Sequence, residues 1–312
     1  MGLGMAGMLM GTLTIIANWF PPRSFATLTG MVAAFGIVGA LIAAYPLALL
    51  AGSIGWRHSF LLFSAVNLAL AVFVWVIVRD HPPAADVSPA AGRTKEKFAL
   101  RGAFREVLGT PAFWSISCLS FFLSGSFFCI QSLWGGPFLM DVFGMTPAGA
   151  GSVLSFIAIG YIIGSPLIGW FSDRWMIPRK RLAMILLPFY LIPLLLFCTW
   201  LSPRYLSLLW PVYFSLGLFA GGQILLITHL KELFPGRMVG TALSLQNLFA
   251  VGGGAILQHL MGVVIEQYPR VGQAYPPQAY RMAFLLPLVG VIVALLLYSR
   301  TKSSPAGEPS KN

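Results

Sequence analysis

The sequence predicts an all-α, polytopic membrane protein with about nine transmembrane helices. Three observations carry that prediction. Only 9% of the 312 residues are charged, against 57% hydrophobic. A water-soluble domain carries roughly 25% charged residues, so this chain has too little polar surface to dress a globule. Its apolar runs reach the ~17–25 residues that cross a bilayer as helix. No stretch shows the alternating ~10-residue pattern of a membrane β-barrel.

Taken in order, the apolar runs lie near 1–19, 25–50, 58–78, 112–133, 148–170, 182–200, 206–228, 239–264 and 281–299. The first opens without the charged leader and cleavage site of a signal peptide, and Ala6 stands where a myristoylation motif needs Ser or Thr. The third and fourth are separated by the largest polar interruption, 79–111. It begins as RDHPPAADVSPAAG, a Pro/Ala-rich linker, and continues as RTKEKFALRGAFREVLGTP. There Leu100, Phe104, Val107 and Leu108 fall on one helical face, and Arg101 and Arg105 on another. This reads as a short basic helix on the membrane surface, or as a solvated tether. The tail 300–312 is polar and expected to be disordered.

A repeated phrase divides the chain. NWFPPRSFATLTG (18–30) and ELFPGRMVGTALS (232–244) align at an offset of 214. Phe20, Pro21, Arg23 and Thr27 match Phe234, Pro235, Arg237 and Thr241, and Phe35 and Gly39 match Phe249 and Gly253. Six identities at one offset argue for an internal repeat. In the second half 123 residues separate Pro111 from Phe234, but only nineteen precede Phe20. The shortfall, about 100 residues, equals about three spans. The expectation is therefore an incomplete three-span bundle at 1–78, a linker at 79–111 and a six-span bundle at 112–299.

The net charge of +11 would suggest nucleic acid in a soluble protein. Here its distribution points to the bilayer instead. Segments on one side hold Arg23, Arg79, Arg93, Lys95, Lys97, Arg101, Arg105, Arg174, Arg179, Lys180, Arg181, Lys231, Arg237, Arg300, Lys302 and Lys311. The other side holds Arg57, Arg204, Arg270 and Arg281. Sixteen cations against four place the C-terminus in the cytoplasm by the positive-inside rule. The partners expected are a lipid bilayer and a small solute, with no nucleic acid. Cys118, Cys129 and Cys198 lie inside apolar runs, without metal or disulfide spacing, and read as packing residues.

Twelve spans in two parallel six-span repeats, joined by a cytoplasmic loop, resemble the major facilitator superfamily. GWFSDRWMIPRKR (169–181) looks like its signature loop, with Gly169, Asp173 and Arg174 in place and Arg179, Lys180 and Arg181 following. NWFPPR with its Gly-rich helix resembles the family's fourth and fifth helices, and GWRHSF (55–60) the turn into its sixth. LWGGPFLMDVFGMTPAGAG (133–151) looks like the segment after its seventh. The resemblance implies a 6+6 helical bundle of which this chain is helices four to twelve, truncated at its N-terminus. It also implies that the loop Gly169–Asp173–Arg174 with its basic cluster is a conformational latch; the plain alternative is a positive-inside loop.

Candidate site residues follow from what the spans lack. None of the nine Asp and Glu, and no Lys or Arg, lies mid-span. Asp141 and Glu266 sit near the outer mouths. An intramembrane charge is the usual pointer to an ion or proton path, so a proton or sodium site using a carboxylate would lie in helices preceding these. What remains is uncharged. Ser120, Ser124, Phe128 and Gln131 recur at helical spacing, with Trp134 extending the face. Tyr161, Tyr213, Phe219, Gln223, Gln246 and Asn247 are further candidates for a substrate path. A buried amide must be bonded, but its partner can be another helix rather than a solute. Gly7/Gly11, Gly160/Gly164 and Gly217/Gly221 are small-xxx-small pairs that let helices approach.

The functional expectation is secondary active transport of a small solute by alternating access, without cofactor, as a monomer of the inner membrane. The pattern is nearest to sugar-phosphate or organic-anion permeases. The second span lacks the Gly-Pro pair of drug/proton antiporters, and 112–133 lacks the Arg used for phosphate. A drug/proton efflux antiporter and a nonfunctional or regulatory fragment remain as alternatives. A membrane enzyme would need a catalytic constellation; His229 and Glu232 at i, i+3 are joined by none.

Overall fold

The computed structural model describes residues 2–79, 100–175, 177–199 and 203–301. Residues 80–99 and 302–312, where the sequence places the Pro/Ala-rich linker and the polar tail, lie outside the described residues. So do the side chains of residues 1–10, 22, 43–49, 51–52, 100–101, 203–205 and 237. Among the described residues the chain is helical throughout its long elements. These are α1 (Gly2–Trp19), α2 (Phe25–Ile77), α3 (Leu100–Gly109), α4 (Pro111–Phe128), α5 (Gly135–Phe143), α6 (Pro147–Arg174), α7 (Arg179–Thr199), α8 (Leu209–Ala220), α9 (Gln223–Leu233), α10 (Gly236–Glu266) and α11 (Pro277–Ser299).

Eight stretches of described residues are long and apolar enough to cross a membrane: Phe25–Ile42, Ser53–Ile77, Pro111–Phe143, Pro147–Arg174, Arg179–Thr199, Leu206–Leu233, Met238–Glu266 and Pro277–Ser299. They match eight of the nine expected runs; the first run is helical, as α1, but is not among the eight. Two runs differ in detail. The run expected to end near 133 continues to Phe143, through a π-helical segment at Cys129–Trp134 that joins α4 to α5. The run at 206–228 extends to Leu233 and breaks at Gly221–Gly222 into α8 and α9. The second and third runs form one element that turns at Gly55, whose φ of 80° only glycine adopts at low cost.

The repeat is visible as geometry. Each copy is a helix stopped by a Phe-Pro pair and followed by a new helix. Proline restricts the residue before it to extended backbone, and Phe234 is extended, at φ −117° and ψ 143°. In the first copy the Ser24 amide donates to the Pro21 carbonyl, and in the second the Met238 amide donates to the Pro235 carbonyl. These are the same bond at the offset of 214.

The core lies in the second half, around Phe138, Tyr280, Phe284 and Phe197, whose rings meet edge to face or tilted at 5.1–5.8 Å. Helices α6 and α8 approach backbone to backbone. A side chain on Gly217 would meet the Ile157 carbonyl, one on Gly164 the Leu218 carbonyl, and one on Gly221 the Ser165 amide at 2.5 Å. Two of the three small-residue pairs named from the sequence, Gly160/Gly164 and Gly217/Gly221, therefore face each other. By contrast Ser53–Ile77 is exposed almost throughout, with Ser59 its one buried residue. The surface helix α3 docks through Ala103 and Val107 on α4 and α10. Of the apolar face read from the sequence, Val107 is buried against the bundle, and Phe104 and Leu108 are exposed.

Candidate functional site

One group of residues joins the two halves at the end of the bundle that carries most cations, called here the basic end. α6 ends there on Ser172, Asp173 and Arg174. Its Gly169 lets the helix lie against the start of α2; a side chain there would stand 2.5 Å from the Ala26 carbonyl. Asp173 is thereby brought to the first turn of α2. Its Oδ2 accepts from the Thr27 amide at 2.7 Å and from Thr27 Oγ1 at 2.6 Å. The helix's own N-cap, Ser24, makes no side-chain cap, so a carboxylate 146 residues away satisfies the orphan amide and meets the positive end of the helix dipole.

The other oxygen of Asp173 meets a cation. Arg179, at the start of α7, places its guanidinium 2.9 Å from Asp173 Oδ1 and 3.0 Å from Glu232 Oε1 on α9. It also donates to Ser172 Oγ. The Asp173 and Arg179 side chains are 7% and 9% exposed, and that of Glu232 is 40% exposed. The inner pair is thus shielded from water, and the outer contact is largely screened. Next to Glu232, the Lys231 ammonium lies 3.4 Å from the centre of the Phe25 ring, a cation–π contact back to α2. Of the loop residues named from the sequence, Gly169, Asp173 and Arg179 belong to this network. Lys180 turns instead to the carbonyls of Ser299 and Thr301, and Arg174 and Arg181 are exposed.

A second group lies between α1, α9 and α10. Gln223, Gln246 and Asn247 line one small cavity with Leu13, Ile227, Leu243 and Ala250. Gln246 is buried, and its Nε2 donates to Ser120 Oγ on α4 at 2.8 Å. Gln223 Oε1 is buried without a partner among the described residues. The structure brings these three sequence candidates together and lets Leu13 of the first half close them in.

The remaining candidates are distributed differently. Ser124 is half-buried on α4, and the exposed Phe128 packs on Phe127 at 5.6 Å. Gln131 and Trp134 fall in the π-helical segment, whose i→i+5 bonding alters the 3.6-residue spacing used to put them on the Ser120–Phe128 face. Trp134 is held by α10, its indole donating to the Gln258 carbonyl at 2.9 Å. Gln258 in turn donates to Ser132 Oγ at 2.8 Å. Tyr161 rests on Phe127 at 5.1 Å. Tyr213 is fully buried against Phe197 in the core. Sequence reading missed Gln258 altogether, and it set Glu232 beside His229 rather than opposite Arg179. Gln258 did carry a signal, being a third amide in the same apolar run as Gln246 and Asn247. At the opposite end Asp141 pins the turn before α11, accepting from the Tyr275 amide at 3.1 Å and the Tyr280 hydroxyl at 2.6 Å.

A helical membrane bundle built on a repeat, with an uncharged polar cavity between its halves and an ionic network across one end, is the architecture of a solute-transporter class. The Major Facilitator Superfamily model matches residues 1–136 and 126–312, and the chain belongs to that family. AraJ of Escherichia coli, a protein named as a transporter, is 26% identical over 292 residues, covering 92% of this chain and 67% of AraJ. The glycerol-3-phosphate transporter of Bacillus subtilis is 23% identical over 270 residues, covering 81% of this chain and 60% of the relative. The chain thus spans about two thirds or less of the length of these relatives. Among solved structures, the fucose:proton symporter of E. coli superposes with a TM-score of 0.67 at 16% identity, covering 96% of this chain and 75% of the symporter. That likeness is one of fold.

Proposed function

We propose that this chain performs secondary active transport of a small polar metabolite by alternating access, with the basic end facing the cytoplasm. The observation that carries the proposal is the polar cluster Gln223, Gln246 and Asn247 of the second half, which meets Leu13 of the first around a cavity of about 20 Å³, water-sized in this state and opened to a solute only when the halves part. A path between two repeats is where such transporters bind their solutes. The network Thr27–Asp173–Arg179–Glu232 is the latch that closes the basic end in one state of the cycle. The orientation rests on the sixteen-to-four distribution of cations.

Organic anions are the solute class to test first. The B. subtilis relative is named a glycerol-3-phosphate transporter, and an E. coli relative, 22% identical over 292 residues, is named for galactarate and D-glucarate. The coupling gradient, in this reading, is proton or sodium.

The experiment is uptake of labelled glycerol 3-phosphate and D-glucarate into proteoliposomes, with the wild-type chain and Gln223→Ala. We expect uptake above protein-free vesicles for at least one solute, and a loss of about tenfold in apparent affinity in the variant, the effect of one hydrogen bond to a bound ligand. Uptake that Gln223→Ala leaves unchanged would remove this cavity from the solute path.

A further inference from the structure

Helix α7 opens on three consecutive cations, and the fold answers only two of them. Arg179 pairs with Asp173 and Glu232. Lys180 spans to the last turn of α11, donating to the Ser299 carbonyl at 2.8 Å and to that of Thr301. Arg181 is exposed and makes no ion pair with any described residue. It lines a cavity with Pro178, Lys180 and Met184. Arg300, next to the carbonyl that Lys180 holds, is exposed as well. This cleft at the start of α7 is thus lined by two cations, Lys180 and Arg181, and by the apolar Pro178 and Met184, and Lys180 ties it to the end of α11.

We propose that this cleft binds the phosphate of an anionic phospholipid from the leaflet at the basic end. Arg181 supplies the planar, bidentate contact that suits a phosphate, and Lys180 a second charge beside it. The occupant is a lipid rather than a soluble anion because the cleft opens at the first turn of a membrane-spanning helix. Its floor is Met184, and the next residue, Ile185, is 53% exposed. A free phosphate would leave that apolar surface in water, whereas an acyl chain covers it. Basic pockets between spans on the cation-rich side are suited to such headgroups.

Lipid retention by the purified full-length chain tests this, read by native mass spectrometry after incubation with phosphatidylglycerol or phosphatidylcholine. Phosphatidylglycerol should be retained in preference. That preference should fall about fivefold in Arg181→Gln, the weight of one interfacial cation. Arg105→Gln, which removes an exposed cation from α3 at the same end, should leave it unchanged. Inorganic phosphate at matched concentration should not displace the lipid. Equal retention by wild type and Arg181→Gln would overturn the proposal. An equal fall in Arg105→Gln would overturn it too, by reducing the effect to general surface charge. Displacement by inorganic phosphate would replace the lipid with a soluble anion.

Discussion

At the scale of single residues, polar groups in this bundle are placed where another helix can satisfy them. Gln246 and Ser120 illustrate it. Each is buried, and each is the other's hydrogen-bond partner across α10 and α4. Replacing Ser120 with Ala leaves the amide donor unmet in an apolar setting, at a cost of about 1–3 kcal/mol. Thermal unfolding in detergent should show Ser120→Ala clearly less stable than Ser115→Ala, whose hydroxyl only back-bonds to the Pro111 carbonyl of its own helix. Equal stability would mean that Gln246 finds a new partner at once. Tyr190 and Ser126 make a comparable bond between α7 and α4 at 2.8 Å, as do His229 and Tyr298 between α9 and α11.

At the scale of helices, close approach is set by glycine. α6 and α8 meet through Gly164 and Gly217, where any side chain would run into a backbone carbonyl. Backbone cannot rotate away as a flexible side chain can, so even one methyl forces the helices apart. Gly217→Ala is expected to destabilise by about 1–3 kcal/mol, the usual range for overpacking. Gly240→Ala, with nothing within 4 Å of the added carbon, should be neutral or slightly stabilising because Ala is the better helix former. Paired thermal melts of the two variants check this. A neutral Gly217→Ala would mean that α6 and α8 are not in register as described.

At the scale of the whole molecule, the ionic network spans both repeats at the basic end, tying α2 to α6, α7 and α9. Its inner pair is dry and its outer contact wet, so its members should not respond alike. Asp173→Asn keeps an acceptor for Thr27 but leaves Arg179 without its shielded partner. Removing one member of such a pair costs about 3–5 kcal/mol. Glu232→Gln, at a 40% exposed carboxylate, should cost no more than about 1 kcal/mol. With Cys118, Cys129 and Cys198 replaced, a cysteine at Asn247 reports the cavity. An impermeant maleimide applied from the basic end should label it about tenfold faster in Asp173→Asn, which corresponds to a shift of about 1.4 kcal/mol in the opening equilibrium. Unchanged labelling would mean that Asp173 holds helices together without gating the cavity.

Much of this architecture was legible before folding. Membrane class, the run of helices and the Phe-Pro punctuation of the repeat are local properties, written in hydropathy and in the steric demands of proline. Asp173 at a helix end, and glycine pairs at crossing points, could be read from the same short windows. Tertiary structure alone decided the partnerships. Arg179, rather than the adjacent Arg174, meets Asp173. Tyr213 turns into the core while Gln223 lines the cavity. The π-helical winding at Cys129–Trp134 re-aims Gln131 and Trp134. These depend on contacts such as Thr27 with Asp173, which join positions 146 residues apart. Such pairing leaves no period or spacing in the chain, because it is set by how finished helices pack against one another.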